Sequence, residues 1–574
     1  MSDWYRASVG HRTPVSARGL YALLVGAPLA LSAVSTGYGA PPREPQSHEE
    51  RLVKLYGADP RFTTQGEPIV SVGVASGIHE LSLSSPSGFK LYLDGDPDHE
   101  VVVSGVRRWV MRLKRRGAPR QTERWELLDE RPVSQVSELN QLEQEWRARG
   151  VESVVRFQSG LYVPGDDTKG RAPLEARALM LAHQPSPTLD LSSHLKGRAL
   201  PTLETLVSPS RGVIIAEGYE DKRAKRSRRS RAKRSGPLST LTARDVLWVE
   251  SNRAQPITLT YLDEDGDERS ARYHGELYVA VDPQGLSVVS VLPAELLIEG
   301  VVPSELYKSA PLEALKAQAV AARGQVVVKL GARHLTDPYM LCASTHCQAY
   351  KGLDQHHKRT SAATRATRGM IAVTSEGQPV DSVYSSTCGG HTEAYHEVWG
   401  GAPKPNLLGV EDNATSSKSA VSASSVEAFI KMPTGSFCQA PKRTFRWKVK
   451  RRAGEIFERL VREGHTSSEQ LGELVSFDPL RRGSSGRVQA VTYRGSKASV
   501  VVYGDYVNRV ILGVKSGLWV SDQLSEGVWQ LSGGGYGHGV GMCQHGAMGM
   551  AKGGAKLEGI LSHYYAGAQV KTLW

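Results

Sequence analysis

Cysteine is scarce in this chain: five residues in 574, none before Cys342. That count excludes a small disulfide-stapled scaffold and fits a compartment where thiols are used sparingly. Beyond the N-terminus there is no apolar run long enough to span a bilayer. The glycine-rich stretch near the C-terminus lacks the spacing of a phosphate loop. A uniform charge is also lacking. The formal net charge is +12, but nine Lys and Arg fall between Lys222 and Arg234, and 12 − 9 leaves +3 for everything else. The basic balance is therefore no argument for nucleic acid, and none is expected as a partner. What remains, 40% hydrophobic and 23% charged, is ordinary globular composition, with room for about two to four domains.

The N-terminus reads as an export signal over residues 1–40. Arg6, Arg12 and Arg18 precede an apolar run from Gly19 to Val34, with small residues after it. Pro28 interrupts the run and no stop-transfer charge follows, so cleavage is expected, leaving no transmembrane anchor and a secreted or periplasmic protein. Residues 41–67, rich in Pro, Glu, Arg and Gly, read as a linker. Residues 68–220 read as an α+β accessory domain: short strands at Ile69–Val74, Leu81–Leu83, Phe89–Leu93 and Val101–Val106, a helix over Ser137–Arg149, then strands Val151–Phe157 and Gly160–Val163. This order is faintly similar to small glycan-binding modules of cell-wall proteins. The basic run within 221–239 repels itself and reads as a disordered linker, either drawn to anionic polymer or headgroups or serving as a protease-sensitive tether.

Strands resume at Asp245–Glu250, Ile257–Tyr261, Leu277–Val281 and Leu286–Pro293. A short helical pattern runs from Pro293 into Gly300, and Pro303-Ser304-Glu305-Leu306 leads to a second helix. Ser309, Pro311 and Glu313 suit that helix's N-terminus. Leu312, Leu315, Ala319, Ala322, Val326 and Leu330 form an apolar stripe, with Gln318 and Arg323 off it. Glu305 thus stands at a corner between two packed helices. Further on, Arg359–Arg368 reads as a helix capped by Gly369, and Met370–Thr374 with Val380–Ser386 as a hairpin around Glu376-Gly377. Residues 414–425 read as a mobile loop, and Thr444–Lys450 and Arg487–Tyr503 as strands. The fold class expected is multidomain α+β.

Three motifs carry a resemblance. Gly-Val-Val-Pro-Ser-Glu (300–305) is followed by Pro-Leu-Glu-Ala-Leu-Lys-Ala-Gln-Ala-Val-Ala-Ala-Arg (311–323). Tyr384-Ser-Ser-Thr-Cys-Gly-Gly-His-Thr-Glu393 precedes Trp399-Gly-Gly401. Gly537-His-Gly-Val-Gly-Met-Cys-Gln-His-Gly-Ala547 closes the set. Together these resemble the stage II sporulation protein D / amidase-enhancer family of cell-wall proteins, over roughly residues 245–574, with the family's domain expected over 240–574. His545 stands where a Trp is usual, and Cys388 where a Ser is common.

The resemblance implies a lytic transglycosylase acting on peptidoglycan glycan strands, with Glu305 as its catalytic acid. Substrate contacts are then expected from Gln318, Arg323, Tyr384, Ser386, Gly389, Gly390, Thr392, Trp399, Gly537, His538, Gly539 and Gln544. Cleavage between N-acetylmuramic acid and N-acetylglucosamine needs a proton on the leaving oxygen, so Glu305 would need partial burial to stay protonated. Ordinary glycosidases use a second carboxylate. Here the muramyl C6 hydroxyl can attack instead, leaving a 1,6-anhydro sugar. Glu313 and Glu393 are the nearest second acids, Glu313 being more simply a helix-start residue. The family's other branch implies a non-catalytic enhancer of an N-acetylmuramoyl-L-alanine amidase, which makes such an amidase the second partner. A purely structural wall-binding module is a third reading.

His334, Cys342, His346 and Cys347 can fill a tetrahedral zinc shell, though not at zinc-finger spacing. Some sporulation members carry a His/Cys zinc site in this loop. A Cys342–Cys347 disulfide, or no link, are the alternatives. Four protein ligands leave no open position, so the zinc would be structural and the chemistry would need no cofactor. Cys388 and Cys438 are a disulfide candidate, which would leave Cys543 a lone buried thiol.

Overall fold

The computed structural model describes residues 48–56, 61–96, 98–132, 153–159, 176–183, 202–220, 236–252, 255–330, 333–414, 421, 424–431 and 435–574, with isolated positions between 141 and 148. The export signal, the basic run and strand Gly160–Val163 lie outside these residues. The helix expected over 137–149 and the loop over 414–425 do so largely. No helix among the described residues is long and apolar enough to cross a membrane. The protein is a multidomain α+β structure with several separate sheets.

The chain divides into two compact units, residues 1–304 with 326–356, and 305–325 with 357–574. Two sheets dominate the first unit. One runs Arg61–Phe62, Pro68–Ile78, Gly285–Pro293, Glu276–Asp282, Val246–Ser251, Phe89–Leu93, Glu100–Val101, with Leu341–Cys342 added parallel to Pro68–Ile78. The other runs Ser239–Arg244, Gly212–Tyr219, Arg108–Arg116, Glu80–Ser84, Ile257–Leu262, Glu268–Tyr273. Gly285–Pro293 is buried at every position but its last, so both faces are covered and its Val/Leu run needs no alternation. Gly212–Tyr219 alternates buried and half-buried, as a strand with one core face does.

Two expectations about this region change. Strands from 61–116 and 212–219 share both sheets with strands from 239–293, flanking them in one and lying between them in the other, so these segments fold together, with no boundary near 240. Residues 48–67 are likewise not a bare linker. His48–Leu55 is a helix whose Leu52 packs with Tyr56, Val246, Tyr278 and Val289, and His48 bonds Asp245 at 2.8 Å.

Two helices frame the Pro-Ser-Glu step. Helix α1 (Ala294–Glu305) continues past Gly300 and through Pro303 to Glu305. Pro303 removes one backbone donor, and the buried Leu297, Ile298, Val301 and Val302 hold the helix together despite that loss. Helix α2 (Leu312–Lys329) is buried at every residue from Ala317 to Val327. The single-stripe reading therefore fails for Gln318 and Arg323, which are both fully buried.

In the second unit, helix α3 (Lys358–Ala366) ends on Thr367, so Gly369, expected as its cap, stands two residues beyond the end at φ +70, packed against the Trp574 carbonyl. Met370–Val373 takes Gln569–Thr572 as its partner, which reduces the expected hairpin to a single bridge, Val373 to Pro379. Tyr384–Ser385 instead pairs in parallel with Met542–Cys543. Sheet Arg446–Arg452, Val528–Gly534, Trp519–Ser525 and sheet Leu474–Arg482, Val488–Gly495, Ser499–Tyr503 share a core of Trp447, Phe477, Tyr493, Trp519 and Trp529 with helices Ala453–Arg462 and Asp505–Leu512. The chain closes with α4 (Gln544–Lys552) and α5 (Leu557–Tyr564).

Candidate functional site

Glu305 is the last residue of α1 and is half-buried. Its carbonyl, unsatisfied within the helix because it lies in the final turn, accepts Gln544 Nε2 at 3.1 Å. The same nitrogen reaches Gln318 Oε1 at 3.2 Å, so Gln544 ties the end of α1 to the interior of α2. Tyr384 joins this group. Burial, and after it the negative charge of Glu305, push its hydroxyl well above the ordinary phenol range, with Gln318 pulling the other way. A phenol held neutral beside a carboxylate can donate to that carboxylate or to a substrate oxygen. The structure thus gathers Glu305, Gln318, Tyr384 and Gln544 from three distant stretches.

His545 and Tyr307 extend the group, and neither was expected to. His545 Nδ1 donates to the Ser386 carbonyl at 2.8 Å, which fixes its tautomer, and its ring stands edge-on to Tyr307 at 6.0 Å. Tyr307 is 64% exposed two residues after Glu305. The unusual His545 was the only signal for this contact in the sequence.

The 384–393 stretch meets the terminal glycine loop along its length: Thr387 bridges Tyr536, and Glu393 bridges Val540. Trp399 is 47% exposed and packs on His538, ring centroids 4.9 Å apart, with Tyr395 behind it at 4.7 Å. Val540 N–H donates to His538 Nδ1 at 3.0 Å, so Nε2 carries the proton of the neutral ring. An open Trp face beside a ring N–H is suited to a sugar.

Seven of the twelve expected substrate contacts are buried, Gln318 and Gln544 within the group above and five outside it. Arg323 is fully buried and donates to the Met370 carbonyl at 2.8 Å. Gly389, Gly390, Thr392 and Gly539 are also buried. A Cβ on Gly389 would lie 2.8 Å from the Gly535 nitrogen, and one on Gly539 only 2.3 Å from the Arg487 guanidinium. At Gly389 and Gly539 the missing Cβ lets neighbouring parts of the protein pack close. Ser386 and Gly537 stay partly accessible.

Neither proposed second acid is available. Glu393 is fully buried and accepts from Ser484, Ser485 and the Ala394 nitrogen. Glu313 accepts Leu557 N–H at 2.9 Å at the start of α5 and pairs with Lys316 at 2.8 Å. Lys316 holds its carboxyl below the usual range.

In the first unit, His334, Cys342, His346 and Cys347 bring their ligand atoms within 4.8 Å of one another. Asp337 Oδ2 lies 2.7 Å from His334 Nδ1 and aims Nε2 at Cys347 Sγ, 3.3 Å away, the orienting carboxylate typical of a histidine ligand. His346 Nδ1 faces Cys342 at 3.6 Å and Cys347 at 3.9 Å. The bond from Cys347 drops the Cys342 thiol to about 2. Burial works against protonation of His334, but Asp337 and Cys342 outweigh it and raise the ring to about 9. Donor set, spacing and charge fit a divalent metal. A cavity of about 680 Å³ borders the cluster, lined by Tyr261, Arg269, Tyr273, Tyr339 and Tyr350 among others.

The disulfide expectations are corrected. All five cysteines are free. Cys388 and Cys438 sulfurs stand 3.6 Å apart, and Cys543, expected alone, joins them together with Asp412.

With the site in view, residues 282–373 match the family model described as stage II sporulation protein, which spans Glu305, Gln318 and the His/Cys cluster. The chain therefore carries a domain of this kind. Residues 393–541 match a separate model, a domain of unknown function. Three relatives are similar to the chain: the amidase enhancer of Bacillus subtilis (28% identical, 48% of this chain and 40% of the relative), stage II sporulation protein D of Bacillus amyloliquefaciens (28%, 49% and 75%), and an uncharacterised Brachyspira hyodysenteriae protein (26%, 58% and 84%). The matched stretch spans less than half of the amidase enhancer.

Proposed function

We propose that this protein acts on the bacterial cell wall as an exported lytic transglycosylase, cutting peptidoglycan glycan strands between N-acetylmuramic acid and N-acetylglucosamine. The observation that carries the reading is a single half-buried acid, Glu305, which lies with Gln318 inside the matched region and is grouped with Tyr384 and Gln544 from further along the chain. The two other acids proposed for a glycosidase pair are engaged in structure. Glu305 protonates the leaving oxygen. The muramyl C6 hydroxyl then attacks the anomeric carbon and returns its proton to the same carboxylate. Each turnover thus ends with Glu305 protonated again and a 1,6-anhydro end on the product. Trp399 and His538 offer a stacking face and a donor for the flanking sugar.

His334, Cys342, His346 and Cys347 would hold a zinc ion. Bound there, zinc supplies cross-linking of the loop and no open coordination position. The chemistry rests on side chains alone.

The test is mass spectrometry of glycan strands treated with the protein and with Glu305→Gln. Anhydromuramyl ends are expected from the unsubstituted protein and at least 100-fold fewer from the variant, the usual weight of a general acid. Equal product from both would remove Glu305 as the acid. The similarity to an amidase enhancer favours a second reading, a wall-bound activator of an amidase. Stimulation of an added amidase by Glu305→Gln, with no anhydro ends from either protein, would select it.

A further inference from the structure

Four buried groups in the second unit take no part in the proposed reaction. Cys388 follows the Tyr384–Ser385 strand, Asp412 follows the bridge from His391 to Glu411, Cys438 lies in a short turn (Phe437–Gln439), and Cys543 precedes α4. All four are 0% exposed, and their sulfur and carboxylate ligand atoms lie within 4.8 Å of one another.

We infer that Cys388, Asp412, Cys438 and Cys543 form a second, structural zinc site. The geometry favours a metal over a disulfide. Zinc–sulfur bonds of about 2.3 Å set the edge of a tetrahedron at about 3.8 Å, close to the 3.6 Å between Cys388 and Cys438. A sulfur–sulfur bond of about 2.05 Å would require those side chains to close up. It would also leave the Asp412 carboxylate buried without a countercharge, a costly arrangement.

The surroundings are those of ligands already aimed. Cys543 Sγ accepts backbone N–H from Cys388 at 3.1 Å and Gly546 at 3.3 Å. Two donors on one sulfur suit a thiolate, since a thiol is a weak acceptor. Asp412 Oδ2 accepts Cys438 N–H at 2.9 Å and Oδ1 accepts the Tyr564 hydroxyl at 2.5 Å, which leaves lone pairs for a metal. Three soft sulfurs and one carboxylate select zinc among common divalent ions. The ion would join the 384–393 stretch to the terminal loop, whose Gln544 holds the end of α1.

The experiment measures metal content of the full-length chain, purified without chelator, in a Cys342→Ser/Cys347→Ser background that disables the other cluster. A single equivalent of zinc is expected, falling at least tenfold on adding Cys438→Ser. Cobalt(II) added to the metal-stripped background protein should give a thiolate-to-cobalt charge-transfer band. Should these variants not fold, the unsubstituted chain still decides. Cys388, Cys438 and Cys543 are expected to resist alkylation until a chelator is added. Metal-free protein in which these thiols alkylate freely, or peptide mapping that finds Cys388 joined to Cys438, would overturn the site. None of these readouts depends on glycan cleavage.

Discussion

Glu305 and Glu313 stand eight positions apart in sequence but in opposite circumstances. Glu305 lies in the group with Tyr384, whereas Glu313 serves as an acceptor at the start of α5. Glu313→Gln should therefore leave anhydro-end formation intact and lower stability by about 1 kcal/mol or less, as loss of a partly exposed ion pair and a helix-start charge does. Urea unfolding and the glycan assay check the two halves separately. Gly539 makes a different point about single residues. Its φ of +78 suits glycine, and a Cβ would displace the buried Arg487, which donates to the carbonyls of Cys388 and His391. Gly539→Ala should cost roughly 2–4 kcal/mol, read as a lower urea midpoint with unchanged slope. From the motif alone, this glycine looks like a ligand cradle.

At the scale of elements, the two helices around Glu305 behave differently from their sequence patterns. α1 contains a proline and still extends to Glu305, because its apolar residues are buried in the first unit. α2 reads as amphipathic but is buried almost all round, which turns Gln318 and Arg323 from surface groups into interior ones. Gln318 Oε1 accepts from the Gln544 amide, and Arg323 donates to the Met370 carbonyl. Of the strand expected over Val380–Ser386 only Tyr384–Ser385 forms, and its partner is the Met542–Cys543 strand, more than 150 residues further on. Local propensity marks where such strands lie and cannot choose between partners that offer the same backbone donors and acceptors.

Across the whole chain, the first unit is assembled from both ends of its sequence. Removing residues before 240 would strip Pro68–Ile78 and Phe89–Leu93 from one sheet, and Glu80–Ser84, Arg108–Arg116 and Gly212–Tyr219 from the other. A fragment of residues 240–574 should accordingly be insoluble or lack a cooperative urea transition, whereas residues 48–574 should show one. Soluble yield and the unfolding curve decide this, and a well-folded 240–574 fragment would contradict the interleaved sheets. Of the two family matches, 393–541 lies within the second unit, whereas 282–373 takes residues from both.

By itself the sequence passed over strands such as Arg108–Arg116, Gly212–Tyr219 and Glu268–Tyr273, but located those near 69–74, 81–83, 89–93, 245–250, 257–261, 277–281 and 286–293 and the His334–Cys347 cluster. These rest on short-range pattern: alternation, a turn residue, or ligands within fourteen positions of one another. Tertiary structure alone decided which strands pair, which polar residues of α2 are buried, and that Asp412 stands among three cysteines. Those outcomes depend on the closing of long loops, whose entropy is offset only by contacts made once the whole unit is packed. A carboxylate such as Asp412 carries no local mark of the sulfurs it will meet.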